Sequence, residues 1–126
     1  MPKNRIMIIE DEVLIGMALR AELRHLGYDI CQIYASGEEA LANIGREKPD
    51  IILLDMSLEG ELSGLETGRR IKDAFQTPLI FLTGYPDNKL MHEAQTLEPI
   101  GYFVKPVRIG DLQKTIAAFF ENKNPT

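Results

Sequence analysis

Polar residues suited to handling phosphate follow four apolar runs of this chain. Glu10 and Asp11 follow RIMII, Asp55 follows IILL, Thr83 follows IFL, and Lys105 follows GYFV. Carboxylate oxygens bind hard cations such as Mg²⁺, while a hydroxyl and an ammonium can contact phosphoryl oxygens. Because the carboxyl ends of strands in an open parallel sheet share one rim, we expect these side chains to meet in one crevice there.

Segments with strand and helix character alternate along the whole chain. We expect strands over residues 5–10, 29–35, 50–54, 79–82 and 101–104, and helices over about 13–26, 36–46, 63–75, 87–96 and 110–122. This alternation predicts a doubly wound α/β fold, (βα)5, with a five-stranded parallel sheet between helices in three α/β/α layers. Alternation alone does not determine the order of the strands in the sheet.

Local signals mark several helix ends. Ser36 with Glu39, and Ser63 with Glu66, form the S-x-x-E capping-box pattern at two helix starts. Gly27 should end the first helix, because glycine suits the left-handed residue that follows a helix. The buried stripe of that helix is expected to consist of Ile15, Leu19, Leu23 and Leu26.

Composition limits the class of protein. The 126 residues are 44% hydrophobic and 26% charged, so we expect one globular domain over residues 1–122, with 123–126 as a tail or the start of a linker. A formal net charge of -5 argues against direct nucleic-acid binding. No apolar run approaches the roughly 20 residues that span a bilayer, and no signal-peptide pattern begins the chain, so a cytoplasmic location without membrane insertion is expected. Cys31 lies in a strand-like run and is expected to be buried and reduced.

Five short stretches together resemble the receiver domain of two-component response regulators, the CheY-like superfamily, from residue 5 to about residue 120. They are IIEDE, LLD ending at Asp55, GLE beginning at Gly64, FLTG containing Thr83, and YFVKP containing Lys105. The resemblance implies the flavodoxin-like strand order 2-1-3-4-5. It also implies a phosphorelay protein that takes a phosphoryl group from a phosphohistidine of a sensor histidine kinase or a histidine phosphotransfer protein. Such a domain supports its own phosphorylation and dephosphorylation and is otherwise not an enzyme.

The side chains are consistent with that chemistry. Asp11 and Asp55 can ligate Mg²⁺, or Mn²⁺ in its place, while Glu10 can hold a metal-bound water and the backbone carbonyl of Ser57 can add a ligand. The cation would relieve the repulsion among the carboxylates. Asp55 is the expected phosphoacceptor, since a carboxylate can form an aspartyl phosphate. Lys105 would neutralise phosphoryl oxygens.

Two residues are expected to act in switching. Thr83 could hydrogen-bond a phosphoryl oxygen, and its movement would open space for an aromatic residue. Receivers often carry that aromatic three residues before the lysine, which is Tyr102 here, and couple it to the face of helix 4, strand 5 and helix 5, where a homodimer is also expected. The mechanism would be a population shift between two packings.

Other features depart from the family or lie beside the site. The stretch from Asp55 to Gly64 is slightly longer than usual, and Thr83 is followed by Gly84 and Tyr85. Tyr85 and Ser57 are therefore candidates to tune the phosphate lifetime, and Tyr85 is an alternative aromatic switch. Apolar residues on the first helix are candidates for docking the partner: Val13, Leu14 and Met17.

Other interpretations of these residues, and other classes of protein, compete with the receiver domain. Each residue alone has an ordinary interpretation as a helix-start acid, a turn residue or a surface charge, and only the joint placement at strand ends favours function. A degenerate receiver that serves as a protein-binding scaffold would have lost a key residue, and none is missing. A haloacid-dehalogenase-like hydrolase would carry D-x-D, whereas Asp55 is followed by Met56 and Ser57. A stand-alone regulator and the first domain of a longer protein, such as a hybrid kinase or a cyclase, are both compatible with the sequence.

Overall fold

The computed structural model describes residues 4–85 and 87–123, and strands and helices alternate throughout them. The elements are β1 (Arg5–Ile9), α1 (Val13–His25), β2 (Asp29–Tyr34), α2 (Gly37–Glu47), β3 (Ile51–Asp55), α3 (Gly64–Ala74), β4 (Leu79–Thr83), α4 (Asn88–Gln95), β5 (Gly101–Val104) and α5 (Ile109–Lys123). The strands form one parallel sheet in the order β2-β1-β3-β4-β5. This confirms both the doubly wound fold and the flavodoxin-like order.

The sheet separates two hydrophobic cores. Side chains alternate across β1, so that Met7 and Ile9 face the core under α2, α3 and α4, whereas Ile6 and Ile8 face the core under α1 and α5. The central strand β3 is buried along its whole length, which matches its apolar sequence. Asp55, the last residue of β3, is therefore delivered from the middle of the sheet to its carboxyl rim.

Serine side chains begin two of the helices, as the sequence predicts. The Ser36 hydroxyl accepts a hydrogen bond from the Glu39 N–H (3.2 Å), and the Ser63 hydroxyl accepts one from the Glu66 N–H (3.0 Å). These bonds satisfy backbone donors that a helix start leaves unpaired. Because each helix follows a parallel strand, the N-termini of α2 and α3 lie on the side of the sheet where the strands end.

The end of α1 differs from the prediction in one residue. Leu26 is 43% exposed, so its placement in the buried stripe is wrong. It lies at the C-cap, after the last helical turn, whereas Leu23 is fully buried and Leu19 packs against the core under α1 and α5. Gly27 has a φ of +100°, the left-handed conformation that ends a helix.

The remaining expectations concern the ends of the chain and its cysteine. Helix α5 continues to Lys123, and residues 124–126 of the expected tail lie outside the described residues. Among the helices that the structure describes, none combines the length and apolar character needed to cross a bilayer. Cys31 is buried and free, and burial raises the pKa of its thiol to about 11.

Candidate functional site

Three carboxylates converge at the carboxyl rim of the sheet. Ile9 of β1 pairs with Leu54 of β3, so the next residues, Glu10 and Asp55, lie side by side. Oxygen atoms of Glu10, Asp11 and Asp55 all lie within 4.8 Å of one another. Glu10 and Asp55 are each only 1% exposed, and Asp11 is half-buried at the start of the following segment. The parallel sheet therefore brings together acids that are far apart in the sequence.

Lys105 supplies the positive charge of this cluster. Its Nζ lies 2.8 Å from Glu10 Oε1 and 3.3 Å from Asp55 Oδ2. Its backbone N–H donates to the Thr83 carbonyl (2.7 Å), which holds the end of β5 against β4, and the Lys105–Pro106 peptide bond is cis. Burial disfavours the charged ammonium, but the hydrogen bond to Glu10 and the charge of Asp55 outweigh it and raise the pKa of Lys105.

The cluster contains more negative than positive charge. Burial, with a further contribution from Asp55, raises the pKa of Glu10 to about 7, although Lys105 and the N–H of Glu12 oppose the shift. Glu10 and Asp55 thus share the Lys105 ammonium, with Asp11 as a third carboxylate beside them. A set of close carboxylate oxygens is the donor set that Mg²⁺ prefers, so the residues present fit a divalent cation.

Backbone N–H groups contact all three carboxylates, and that of Glu12 donates to Glu10 Oε2 (3.2 Å). The N–H of Ser57 donates to Asp55 Oδ1 (2.9 Å), while the other oxygen of Asp55 faces Lys105. The N–H of Glu59 donates to Asp11 Oδ2 (3.2 Å) from the segment between β3 and α3. The sequence analysis predicted neither of the last two contacts, and nothing local to Glu59 indicates which side chain its backbone will meet.

Gly64 is a further residue whose role the sequence analysis missed. A Cβ atom at this position would lie 2.3 Å from the Asp55 carbonyl oxygen and 2.6 Å from the Cα of Met56. Only glycine therefore allows the start of α3 to approach the end of β3 so closely. The signal was present in the sequence, since a glycine directly after the N-cap Ser63 has no helix-forming advantage.

Thr83 follows Leu82, the residue that pairs with Asp55 in the sheet. Thr83 is fully buried, and its hydroxyl donates to the Tyr85 carbonyl (3.0 Å) and accepts from the Tyr85 N–H (3.1 Å). The hydroxyl is thus engaged by the loop after β4. The Tyr85 side chain, two residues after Thr83, is 76% exposed, and Ser57, two residues after Asp55, is also exposed.

Tyr102 lies inward on β5. Its ring is partly buried against the core under α2, α3 and α4, with its centroid 6.4 Å from that of Phe81. Its hydroxyl is buried and makes no hydrogen bond with the described residues. Tyr102 is therefore connected through β5 to Lys105, but its ring makes no polar contact with the acid cluster in the described part of the chain.

Exposed apolar residues lie on the first turns of α1, beside the rim. Val13, Leu14 and Met17 are 65%, 82% and 46% exposed. Next to them, a groove of about 340 Å³ runs between α1 and the segment after β5, and the sequence analysis did not predict it. Its lining includes Ile15, Leu19, Lys105, Pro106 and Val107.

In doubly wound α/β domains, ligands bind in the crevice at the carboxyl ends of the strands, which is where the acidic cluster and Lys105 lie. The family model of the response regulator receiver domain matches residues 6–117, and the chain belongs to this family. Receiver domains of two-component systems bind Mg²⁺ at an acidic cluster and interact with histidine kinases or phosphotransfer proteins.

Individual relatives agree with this assignment. The chain is 32% identical to the transcriptional regulatory protein CrdR of Helicobacter pylori, over 95% of this chain and 56% of CrdR. It is 28% identical to sporulation initiation phosphotransferase F of Bacillus subtilis, over 98% of this chain and 99% of that protein. The receiver domain of a modulated diguanylate cyclase from Desulfovibrio desulfuricans superimposes with a TM-score of 0.87 at 35% identity, over 93% of each chain. The chain spans about half the length of several curated relatives that it matches.

Proposed function

We propose that this domain accepts a phosphoryl group on Asp55 from the phosphohistidine of a sensor kinase or a phosphotransfer protein. One observation carries the proposal: the buried Asp55 carboxylate at the end of the central strand has Lys105 at 3.3 Å and two further acids around it. A buried nucleophile between an ammonium and a cation site is the arrangement that phosphoryl transfer requires.

In the transfer step, an Asp55 oxygen forms the new bond to phosphorus while the P–N bond of the donor breaks. The electron pair of the broken bond stays with the imidazole nitrogen, which takes up a proton. Lys105 stabilises the negative charge on the phosphoryl oxygens. Mg²⁺ or Mn²⁺, held by Asp11, Asp55 and the Ser57 carbonyl with Glu10 contacting a bound water, would supply further positive charge against those oxygens.

The hydrogen bonds of Thr83 support a route from the phosphoryl group to the surface. If the Thr83 hydroxyl donates to a phosphoryl oxygen, it must give up its donation to the Tyr85 carbonyl, so the loop after β4 rearranges. The ring of Tyr102 would fill the space that Thr83 leaves, and the phosphoryl group would favour that packing over the other and so change the face of α4, β5 and α5. That face is the proposed surface for a homodimer.

Solvent access to Asp55 would set the lifetime of the phosphoryl group. Ser57 and Tyr85 are exposed and lie two residues after Asp55 and Thr83, so the size and polarity of their side chains would decide how easily water reaches the aspartyl phosphate. A Tyr85→Ala variant should lose its phosphoryl group faster than the wild type if the ring shields it. An unchanged rate of loss would remove Tyr85 from this role.

The apolar turns of α1 are the proposed docking site for the phosphodonor protein, because they border the crevice and the adjacent groove. Leu14→Glu should slow transfer from the partner protein but leave phosphorylation by acetyl phosphate unchanged. Leu26→Glu is the matched control, since Leu26 is an exposed leucine just past the other end of α1. Equal loss with both donors would argue against docking at Leu14.

The test of the central proposal uses acetyl phosphate and, separately, beryllofluoride with Mg²⁺. We expect intact mass to show one added phosphoryl group in the wild type and none in Asp55→Asn, and NMR shifts from beryllofluoride to extend to Tyr102. An absence of both adduct and beryllofluoride response would instead favour a receiver that acts only as a protein-binding scaffold.

A further inference from the structure

The segment between β3 and α3, residues 56–63, is tied to two other parts of the molecule. At one point, the N–H of Glu59 donates to Asp11 Oδ2 (3.2 Å). At another, the N–H of Leu62 donates to Glu38 Oε1 on the first turn of α2 (2.7 Å). We propose that Glu38 is a positioning residue for the acid cluster: it holds this segment so that the Glu59 N–H reaches and orients Asp11. This inference rests on the proposed function of the cluster.

The part of the segment that Glu38 holds has little else to fix it. Met56 and Leu58 are buried and anchor the beginning of the segment, whereas residues 59–61 are exposed. Gly60 has a φ of +118°, a conformation that only glycine adopts freely. Within the described residues, the backbone of 59–62 makes just the two hydrogen bonds to Asp11 and Glu38.

Charge makes the bond to Glu38 more important. Glu59 and Glu61 add two negative charges to a segment that lies beside three other carboxylates, so repulsion favours positions farther from the cluster. The bond from the Leu62 N–H opposes this tendency. It is a charge-assisted bond, because a carboxylate accepts from a backbone donor, and such bonds are stronger than neutral ones.

Glu38 can act as an anchor because its own helix is firmly placed. A Cβ atom at Gly37 would lie 2.0 Å from the Thr67 hydroxyl oxygen, so the start of α2 packs directly against α3. The Ser36 cap further orders this turn. The Glu38 carboxylate can therefore fix the position of the Leu62 N–H and, through the same segment, the position of the Glu59 N–H that contacts Asp11. Residues that contact metal ligands commonly orient them in this way.

Three variants separate the hydrogen bond from the charge. Glu38→Ala removes both, and Glu38→Gln removes the charge but keeps an oxygen that can accept from Leu62. Glu39→Ala is the matched control: it removes one glutamate from the same helical turn, and the Glu39 carboxylate makes no contact within the part of the chain that the structure describes. Urea denaturation of all three checks that the fold is intact.

Two measurements test the inference. The first is amide hydrogen exchange of Leu62 and Glu59 in metal-free protein. Glu38→Ala should lose protection at both amides, Glu38→Gln should keep part of it because a neutral oxygen still accepts, and Glu39→Ala should keep all of it. The second is titration with Mg²⁺ alone, followed by NMR shifts. For Glu38→Ala we expect the Kd for Mg²⁺ to rise about three- to tenfold, at or below the lower end of the effects seen for partners of metal ligands.

The outcomes are distinguishable. An equal Kd in Glu38→Ala and Glu39→Ala would overturn the inference, as would loss of protection without a change in Kd. A Glu38→Gln variant as weak as Glu38→Ala would assign the effect to charge and would also overturn it. If the wild type itself fails to bind Mg²⁺, the proposed function fails, and this inference fails with it.

Discussion

Two buried glutamates, Glu10 at the carboxyl rim and Glu47 at the end of α2, have opposite surroundings. Glu10 lies against Asp55 and shares Lys105 with it. Glu47 is 8% exposed, and both of its oxygens have donors: the Tyr34 hydroxyl donates to one, with the Arg46 guanidinium 4.0 Å from the same oxygen, and the Gln32 N–H donates to the other (3.2 Å). A buried acid whose oxygens both have donors and whose neighbours include no other acid of a cluster stabilises the fold, whereas a buried acid beside other acids leaves a demand for positive charge that a ligand can meet.

The largest effect should come from removing the positive charge at the rim. In Lys105→Met, we expect phosphorylation by acetyl phosphate to slow by about 100-fold or more, because one group that stabilises phosphoryl charge is lost. The protein should stay folded, since Glu10 can take up a proton when its partner is absent. Intact mass against time measures the rate, and Lys114→Met, an exposed lysine of α5, is the control. A wild-type rate in Lys105→Met would show that the two glutamate environments do not differ in function.

Removing a donor of Glu47 should change the stability of the protein rather than the rate of its phosphorylation. Tyr34→Phe leaves one oxygen of the buried Glu47 without its donor, which should lower the free energy of unfolding by about 1–3 kcal/mol. Urea denaturation measures this loss. The double variant Tyr34→Phe with Glu47→Leu should recover part of it, because both polar groups are then gone. Slower phosphorylation at unchanged stability would contradict a purely structural role.

The contribution of Tyr34 to the free energy of unfolding should depend on pH in the alkaline range. Burial, together with the hydrogen bond to Glu47, raises the pKa of Tyr34 from 10.0 to about 12. The folded state therefore holds this proton more tightly than the unfolded state, so the stabilisation is complete below pH 10 and is lost as the pH rises through 12. The difference in tyrosinate absorbance between wild type and Tyr34→Phe reports the ionisation of Tyr34. This ionisation should occur at a high pH in the wild type and at a lower pH in Glu47→Gln. Ionisation near pH 10 in the wild type would show that Glu47 has little influence.

The smallest effect is expected for an exposed pair on α3. Arg70 Nε lies 3.1 Å from Glu66 Oε2, and both side chains are largely open to solvent. Arg70→Ala should lower the free energy of unfolding by no more than about 0.5 kcal/mol, since water and salt screen such pairs. Urea denaturation at low and high salt measures this change. A loss above about 1 kcal/mol would mean that exposed acids contribute on the scale of the buried Glu47.

Much of the fold was predictable because its signals are local. Apolar runs, capping serines and Gly27 marked the elements to within a few residues, and the buried run before Asp55 identified the central strand. Leu26 was misplaced because helical periodicity does not say at which turn the helix ends. The strand order came from family resemblance, since the alternation of elements is compatible with several sheets.

For the candidate site, the sequence by itself determined which side chains lie at the strand ends. The rule that parallel strands share one rim then predicted the approach of the three acids, which the structure shows. Only the tertiary structure decided how the cluster is held: Lys105 meets Glu10 across 95 residues, Glu59 meets Asp11 across 48, and Glu38 meets Leu62 across 24. Such bonds depend on angles and distances set by helices packing on the sheet, and no local pattern along the chain encodes them.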